Sequence, residues 1–338
     1  MPRVTIKDIA RLAGVSVTPV SRALNNNADI REETRERILR ICREEGYRTN
    51  LLARSLISSK TNTIGLILPG ISNPFHASLA LSIETYAREN GYQVMLCSGR
   101  PDDDKIDSLF EYLIAQQVDG ILLSSFGDQA RELLLQYQDT VPVVLLGAAA
   151  PDASGARLNS VSTDNFTGGR MAAEYLHRLG HRDVVYLGLR HGSTTHAARH
   201  AGFTVAAREL GLNVTTVENT ISASTIETGQ LIARKFFSTA FHQTALFAAS
   251  DAVALGAMQV ADELGIAIPE QLSILGYDNI EYAALPGIRL TTLAQNTARM
   301  ARAAVRMLLE AGEDDFRGES THKIIQPTLV ERATCRHL

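Results

Sequence analysis

From residue 62 onward, short apolar segments alternate with longer amphipathic segments, and this alternation constrains the fold more than any other feature of the 338-residue sequence. The apolar segments have the length and composition of buried strands, and the segments between them repeat apolar residues at helical spacing. Strands that alternate with helices form parallel sheets whose two faces are covered by the helices. The sequence therefore predicts an α/β core.

The alternation occurs in two series, which predicts two doubly wound lobes. The first series has predicted strands at 64–68, 92–97, 118–124 and 141–147, with helices at 75–89, 105–115 and 129–138. The second series begins at Val161 and has helices at 166–179, 197–210 and 252–264, with strands at 184–187, 244–249 and 272–277. Ligands of such sheets bind beyond the carboxyl ends of the strands, so we expect a ligand site in the crevice between the lobes.

The N-terminal residues 1–48 are predicted to form a separate all-α domain. Residues 5–13 begin with a capping threonine and then repeat apolar residues at helical spacing. Gly14 and Val15 form a turn, and Ser16 caps a second helix that reaches about residue 25. A third helix follows at 32–45. This pattern describes a helix-turn-helix, although a simple helical hairpin would show it too.

The second of these helices presents side chains that can contact DNA bases. Arg22 can form a bidentate pair with guanine, and the methyl groups of Val17 and Thr18 suit thymine. Residues 1–60 contain 12 Lys and Arg against 7 Asp and Glu, a balance of +5, whereas the remainder of the chain has a balance of −9. We therefore expect only the N-terminal part to bind a polyanion such as DNA.

The run TIKDIARLAGVSVTPVSRALNNN (5–27) resembles the DNA-binding head of the lactose/galactose repressor family almost position by position. The resemblance continues along the whole chain through several further motifs. These are ISNPF (71–75), VDGILL (118–123), LGHRDVVYLG (179–188), ARHAGF (198–203), SDAVALGAM (250–258) and LSILGYDN (272–279). The chain is therefore similar to members of that family. The resemblance implies an all-α head, a hinge helix and a two-lobed core like that of periplasmic binding proteins.

The resemblance implies a domain order and a set of DNA contacts. Residues 49–61 are expected to form the hinge helix, whose Leu56 wedges into the minor groove at the operator centre. The core spans 62–338, with lobe one at about 62–161 and 294–322, and lobe two at about 162–291 and 323–332. The expected DNA-contacting residues are Thr5, Ser16, Val17, Thr18, Ser21, Arg22, Asn25, Asn50, Ala53, Arg54 and Leu56. Because no heptad segment follows Arg332, a homodimer on a near-palindromic operator is expected.

Candidate ligand-binding residues follow from the chemistry of a polyhydroxy ligand and from the resemblance. Bidentate charged groups and an aromatic platform are needed, which favours Phe75, His76, Asp164, Arg199, Ser250, Asp251 and Asp278. In the family, Arg199 and Asp278 match ligand-binding positions. His76, Leu79, Thr195, Ser250 and Gln295 align with further pocket positions. Two alternatives stay open, since Asp251 is also a good cap for helix 252–264 and Asp164 is also a good turn residue.

Other function classes find little support in the sequence. It has no GxSxG, GxxxxGK[ST] or strand-following GxGxxG motif, so no catalytic residue or cofactor is predicted. His196 and His200 are spaced like a zinc pair but have no accompanying glutamate, so no metal is predicted. There is no signal-peptide core or membrane-length apolar run, and the three cysteines are widely separated, which predicts a cytoplasmic protein.

The predicted function is a ligand-responsive transcriptional regulator, typically a repressor of a carbohydrate or related small-metabolite operon. Its expected partners are double-stranded operator DNA, a sugar-like effector and a second copy of the chain, with no membrane. The alternative is a small-molecule binding protein without a regulatory role, for which the N-terminal head would have no purpose.

Overall fold

The computed structural model describes residues 4–24, 29–47, 60–99, 106–124, 136–137, 139–147, 159–189, 194–219, 224–311 and 321–338. They belong to two compact units, Met1–Thr61 and Asn62–Leu338. Residues 49–59 of the predicted hinge helix and most of the predicted helix 129–138 lie outside the described residues. So do five of the expected DNA contacts: Asn25, Asn50, Ala53, Arg54 and Leu56.

The described part of the first unit contains three short helices around a small apolar core. They are α1 (Ile6–Ala13), α2 (Val17–Leu24) and α3 (Glu32–Glu44). Gly14 ends α1 and begins the turn to α2. Its φ of 64° lies in the left-handed region, which residues with a side chain rarely adopt. The core residues are Ile9, Ala10, Ala13, Val20, Ala23, Ile38 and Cys42. Leu24 on α2 and Leu39 on α3 are only half-buried, and on α2 the smaller Ala23 takes the inner position.

The second unit contains two six-stranded sheets. The first has the order β11-β5-β4-β3-β1-β2 and is parallel at every described pairing. Its strands are β1 (Thr63–Leu68), β2 (Gln93–Ser98), β3 (Gly120–Ser124), β4 (Val143–Leu146), β5 (Asn159–Thr163) and β11 (His322–Ile325). The helices associated with it are α4 (Pro74–Glu89), α5 (Ile106–Ala115) and α10 (Thr297–Ala311).

The second sheet has the order β12-β10-β9-β8-β6-β7, and only the β10–β12 pair is antiparallel. Its strands are β6 (Asp183–Leu189), β7 (Asn213–Asn219), β8 (Ala245–Ala248), β9 (Ser273–Asp278), β10 (Thr291–Ala294) and β12 (Thr328–Val330). Four helices pack on it: α6 (Asn165–Arg178), α7 (Thr194–Leu210), α8 (Ile226–Phe237) and α9 (Asp251–Glu263). The two doubly wound lobes are therefore confirmed.

Two predicted lobe boundaries are wrong. Residues 161–163 do not open the second lobe, because β5 pairs with β4 as part of the first sheet. Residues 322–325 do not return to the second lobe either, because β11 pairs parallel to β5. The two strands run in the same direction and end side by side, so the chain crosses to the second lobe after each of them. Residues 323–332, which were expected to belong to lobe two, therefore contribute to two strands in two different sheets.

One strand and one helix were absent from the predicted alternation. Strand β7 has the sequence NVTTVEN and lies at an edge of the second sheet, so it needs no continuous apolar run. Helix α8 follows it and packs one amphipathic face on α9, with Ile232, Ala233 and Phe236 buried. The polar sequence of β7 did not indicate a strand. Because the series was predicted as an alternation of strands and helices, α8 was missed together with β7.

Glycines allow α6 and α7 to pack in close contact. A Cβ atom on Gly169 would overlap the carbonyl oxygen of Arg199, and one on Gly202 would overlap the carbonyl oxygen of Phe166. This close approach brings the start of α6 next to the buried side chain of Arg199 on α7. The two helices and their glycines thus determine where Arg199 lies.

Replacing Gly202 with alanine is expected to destabilise the protein by about 1–3 kcal/mol, because the helices must separate to admit the methyl group. Chemical denaturation of the full chain measures this change. Ala201→Ser, at the exposed neighbouring position, is the matched control and should change stability by no more than about 0.5 kcal/mol. Equal stability of the two variants would contradict the close-packing account.

Candidate functional site

The first unit presents part of α2 to solvent. Val17, Thr18 and Arg22 are exposed, whereas Ser21 is half-buried. Thr5 is the N-cap of α1, where its hydroxyl donates to Asp8 Oδ2 at 2.7 Å, so this predicted DNA contact already has a structural role. The hydrogen bonds hold the pKa of the Asp8 carboxyl below its usual value. The exposed residues on α2 form one face and include the predicted base-reading arginine.

In the second unit, a buried guanidinium lies between elements of the second sheet. Arg199 on α7 is 1% exposed. Its Nη1 donates to the carbonyl oxygen of Ala249, and its Nη2 donates to Asn165 Oδ1 at 2.8 Å. Its Cζ lies 3.3 Å from the centroid of the Tyr277 ring. Among the described residues, Arg199 Nε is buried without a hydrogen-bond partner.

Asp278 lies beside Arg199 at the carboxyl end of β9. The two side chains form a buried ion pair, with 3.8 Å between Arg199 Nη2 and Asp278 Oδ1. Gln295 Nε2 donates to the same oxygen at 2.7 Å. Burial raises the pKa of Asp278 to about 6, although Arg199 and the Gln295 hydrogen bond oppose the rise. The predicted residues Arg199, Asp278 and Gln295 are therefore brought together.

Gln295 also places this cluster at a connection between the lobes. It follows β10 of the second sheet and precedes α10, whose buried face packs on the first sheet. A second connection, between β5 and α6, carries Asp164, and a third, between β11 and β12, carries Gln326. Gln326 Nε2 donates to Asp164 Oδ2 at 3.2 Å, so these two connections contact each other.

The first lobe contributes aromatic groups near the cluster. Phe75 on α4 packs against the apolar cores of both lobes, and its ring centroid lies 5.6 Å from that of His76. Burial lowers the pKa of His196 on α7 to about 3, and the positive charge of Arg199 and the neighbouring imidazole of His76 act in the same direction. Burial also lowers the pKa of His76, so both imidazoles are neutral at physiological pH.

Four other predicted ligand residues occupy different surroundings. Leu79 is 1% exposed in the core of the first lobe. Ser250 is fully buried, where its Oγ accepts from the backbone of Val253 and pairs with Ser224 Oγ at 2.6 Å. Asp164 is the N-cap of α6 and uses both carboxylate oxygens in hydrogen bonds. Thr195 lies half-buried in the first turn of α7, one residue before His196.

The alternative in which Asp251 caps helix 252–264 is wrong. Ser250 is the N-cap of α9, because its backbone is extended and its side chain accepts from Val253 N. Asp251 is the first residue of that helix, and its carboxylate points into the protein toward Ile280 and Thr292. Both residues favour N-terminal helix positions, so the local sequence did not distinguish them.

Asn165 and Tyr277 belong to the cluster but were not among the predicted residues. Asn165 is 5% exposed and accepts from Arg199, and Tyr277 is fully buried beneath the guanidinium. The sequence signal was present, since Asn165 follows Asp164 at a strand end and Tyr277 precedes Asp278. Within the described residues, no group of three or more His, Cys, Asp and Glu side chains has the arrangement of a metal site. None of the described helices could cross a membrane.

Each of the two units matches a known protein family. Residues 5–50 match the family described as "Bacterial regulatory proteins, lacI family", and residues 173–335 match "Periplasmic binding protein-like domain". The HTH-type transcriptional repressor PurR of Mannheimia succiniciproducens is 30% identical over 99% of each chain.

Two solved structures extend the likeness. The transcriptional regulator CelR in complex with cellobiose is 27% identical, with a TM-score of 0.70 over 98% of this chain and 100% of that chain. The lac repressor dimer bound to operator and the anti-inducer ONPF has a TM-score of 0.87 over 99% of this chain and 100% of that one. At 23% identity, this second likeness shows the fold. With a helix-turn-helix head, two doubly wound lobes and full-length relatives, the chain belongs to the lacI family of bacterial regulatory proteins.

Proposed function

We propose that this chain is an effector-controlled transcriptional repressor whose effector binds between the lobes beside Arg199 and Asp278. The observation that carries the proposal is the buried Arg199–Asp278 pair, which leaves one guanidinium donor, Nε, without a partner among the described residues. A buried donor without an acceptor is costly, so a ligand that supplies an acceptor would bind with a gain in free energy. Because its target is DNA, we place the protein in the cytoplasm.

The chemistry of the cluster favours a neutral polyhydroxy effector such as a sugar or sugar derivative. A carboxylate beside a guanidinium can accept from and donate to neighbouring hydroxyl groups. The ion pair already balances its own charge, so the effector need not carry one. In this proposal the half-buried rings of Phe75 and His76 would pack against the apolar side of a sugar. The relative CelR is in complex with cellobiose, which is consistent with this class of effector.

A thermal-shift screen of the full chain with sugars, polyols and nucleosides tests the effector class. A neutral sugar at 100 times its dissociation constant should stabilise the protein by about 2.7 kcal/mol. The screen should give no shift with Arg199→Met for the same compound. If only anionic or aromatic compounds shift the wild type, the sugar class is wrong.

We further propose that the head binds a near-palindromic operator as a homodimer, and that the activity is regulatory rather than enzymatic. The curated relative is a repressor, and the lac repressor dimer is bound to an operator. The exposed face of α2 supports the DNA-binding part of the proposal, because Val17, Thr18 and Arg22 are available to contact bases. Leu56 and the other hinge contacts belong to the same proposal.

Replacing Arg22 with alanine should weaken binding to the preferred operator by about 1–3 kcal/mol and relax specificity at one base pair per half-site. Fluorescence anisotropy with a set of singly substituted duplexes measures both effects. Arg40→Ala, which removes an exposed arginine paired with Glu44 on α3, is the control and should leave the base preference unchanged. If Arg22→Ala weakens all duplexes equally, Arg22 contacts phosphate and does not read a base.

The switch between DNA affinities would act through the connections between the lobes. Asp278 contacts Gln295, which lies between β10 of one lobe and α10 of the other. An effector that binds Asp278 therefore acts directly on a segment that must move if the lobes rotate. It can shift DNA affinity only by the difference between its affinities for the two lobe arrangements.

A further inference from the structure

The loop that carries Asp278 has an unusual backbone. Asp278 has a φ of 115° and Asn279 a φ of 56°, so two successive residues other than glycine lie in the left-handed region. Such conformations persist only where surrounding groups hold them. The groups that hold this loop therefore also determine where the Asp278 carboxylate lies.

Arg332 is one of these groups. It follows β12, and its Nη2 donates to Asn279 Oδ1 at 2.7 Å. Its Nη1 donates to the carbonyl oxygen of Leu290 at 2.7 Å, and its backbone N donates to Thr291 Oγ1 at 2.9 Å. The guanidinium therefore ties the loop to the start of β10.

Asp251 holds the next residue of the loop from the opposite side. It is fully buried, and its Oδ2 accepts from the backbone N of Ile280 at 2.9 Å. Its Oδ1 accepts from Thr292 Oγ1 on β10 at 2.6 Å. Gly276 on β9 leaves room for this carboxylate, since a Cβ atom there would overlap Asp251 Oδ1. Burial and the nearby Asp278 raise the pKa of Asp251, and the charge of Arg332 opposes the rise.

We infer that Arg332 and Asp251 are positioning residues that hold the loop 278–280 against β10 and thereby keep the Asp278 carboxylate beside Arg199. The inference rests on the proposed function only in treating Asp278 as an effector contact. Neither residue needs to touch the effector. Arg332 bonds to Leu290 and Thr291 at the start of β10, and Asp251 bonds to Thr292 on that strand. Because β10 leads into Gln295, these bonds connect the loop to the segment between the lobes.

Hydrogen exchange of the full chain tests the holding role without any effector. In Arg332→Met, the peptide that covers 279–284 should exchange about tenfold faster than in the wild type, while the central strand β8 stays protected. Arg336→Met is the matched control, because Arg336 is exposed in the same terminal segment and it is the backbone N of Arg336 that bonds to Ser273. The control should exchange like the wild type.

Variants of Asp251 give a second readout. Asp251→Asn keeps an oxygen for Ile280 N and a polar group for Thr292, so it should restore slow exchange, whereas Asp251→Ala should not. If Asp251→Ala fails to fold, Arg332→Met and Arg332→Lys are compared instead. The lysine variant keeps one donor group, so its peptide 279–284 should exchange more slowly than that of Arg332→Met. Equal exchange in Arg332→Met and Arg336→Met would overturn the inference.

A crystal structure of Arg332→Met shows whether the carboxylate moves. We expect Asp278 Oδ1 to move away from Arg199 Nη2, from the present 3.8 Å to beyond ion-pair distance. An Asp278 carboxylate unchanged in position would overturn the positioning role, even if the loop exchanges faster. Neither measurement uses an effector. A failed sugar screen would therefore count against the proposed function, whereas only the hydrogen-exchange and crystallographic results would decide this inference.

Discussion

Replacing Arg199 with methionine is expected to lower effector affinity by roughly 100-fold or more, while operator affinity stays near that of the wild type. A hydrogen bond from a charged donor contributes about 1.5–3 kcal/mol, and Arg199 Nε is free to donate one to a ligand. The loss also leaves Asp278 and Asn165 without the cation that now joins them. Since the head is unchanged, DNA binding should persist and only its response to the effector should disappear.

Calorimetry with the compound found in the thermal-shift screen measures the affinity, and a reporter gene measures the response. An inducible repressor would become permanently repressing, whereas a corepressed one would become permanently derepressed. Arg208→Met removes an exposed arginine from the same helix and is the matched control, with no change expected in either measurement. Because Arg199→Met removes a buried cation, Asp278→Asn is the second variant, which keeps the side-chain shape and should lose the response in the same way. Effector binding within about tenfold of the wild type in both variants would place the ligand elsewhere.

The strands of the two sheets were predictable wherever they are buried on both faces. The segment GILLS of β3 is entirely buried, so a continuous apolar run identified it. Strand β7 lies at a sheet edge and carries polar residues, so the same criterion could not find it. The outcome for each strand follows from its position in the sheet.

Which sheet a strand joins could not be read from its own residues. Strands β5 and β11 are separated by more than 150 residues, yet they pair side by side and end at the same edge of the first sheet. Their apolar residues say only that each is partly buried. The lobe assignment depends on a pairing between distant segments, which local patterning does not encode.

In the buried cluster around Arg199, the sequence predicted Arg199, Asp278 and Gln295 but missed the neutral residues Asn165 and Tyr277. Arg199 and Asp278 stand out because charged residues at strand and helix ends are expensive to bury without a purpose. Asn165 and Tyr277 are common structural residues, and only the close packing of α6 on α7 brings them to the guanidinium. Ser250 and Asp251 each suit the same helix start, so the sequence did not show which of them turns inward.

The buried position of Asp278 also predicts how the effector response depends on pH. Its pKa is raised from 3.8 to about 6, so the carboxylate is mostly ionised at pH 7 and becomes protonated as the pH falls through 6. Protonation removes a carboxylate oxygen that could accept from an effector hydroxyl, and it removes the negative charge that pairs with Arg199. Effector affinity should therefore be constant above about pH 7 and fall toward tenfold per pH unit below about pH 6.

The folding contribution of the same group has the opposite sign. Because the folded pKa lies above the unfolded value of 3.8, the folded state holds this proton more tightly than the unfolded chain. The contribution of Asp278 to stability is thus fully present below the unfolded pKa and is lost as the pH rises through 6. Ionised Asp278 is a cost to the fold that the effector, by donating hydroxyl hydrogen bonds, would partly offset.

Calorimetric titrations between pH 5 and 8 in the wild type and in Asp278→Asn separate this group from its neighbours. Burial lowers the pKa of His196 to about 3, so this imidazole stays neutral over the range, and burial also lowers the pKa of His76, which is present in both proteins. Asp251 lies beside Asp278 with a pKa that is also raised, and it is present in both proteins. The slope between pH 5 and 6 should therefore appear in the wild type and be absent from Asp278→Asn. A slope that persists in the asparagine variant would assign the titration to Asp251 or to another group, and would show that the effector does not need an ionised Asp278.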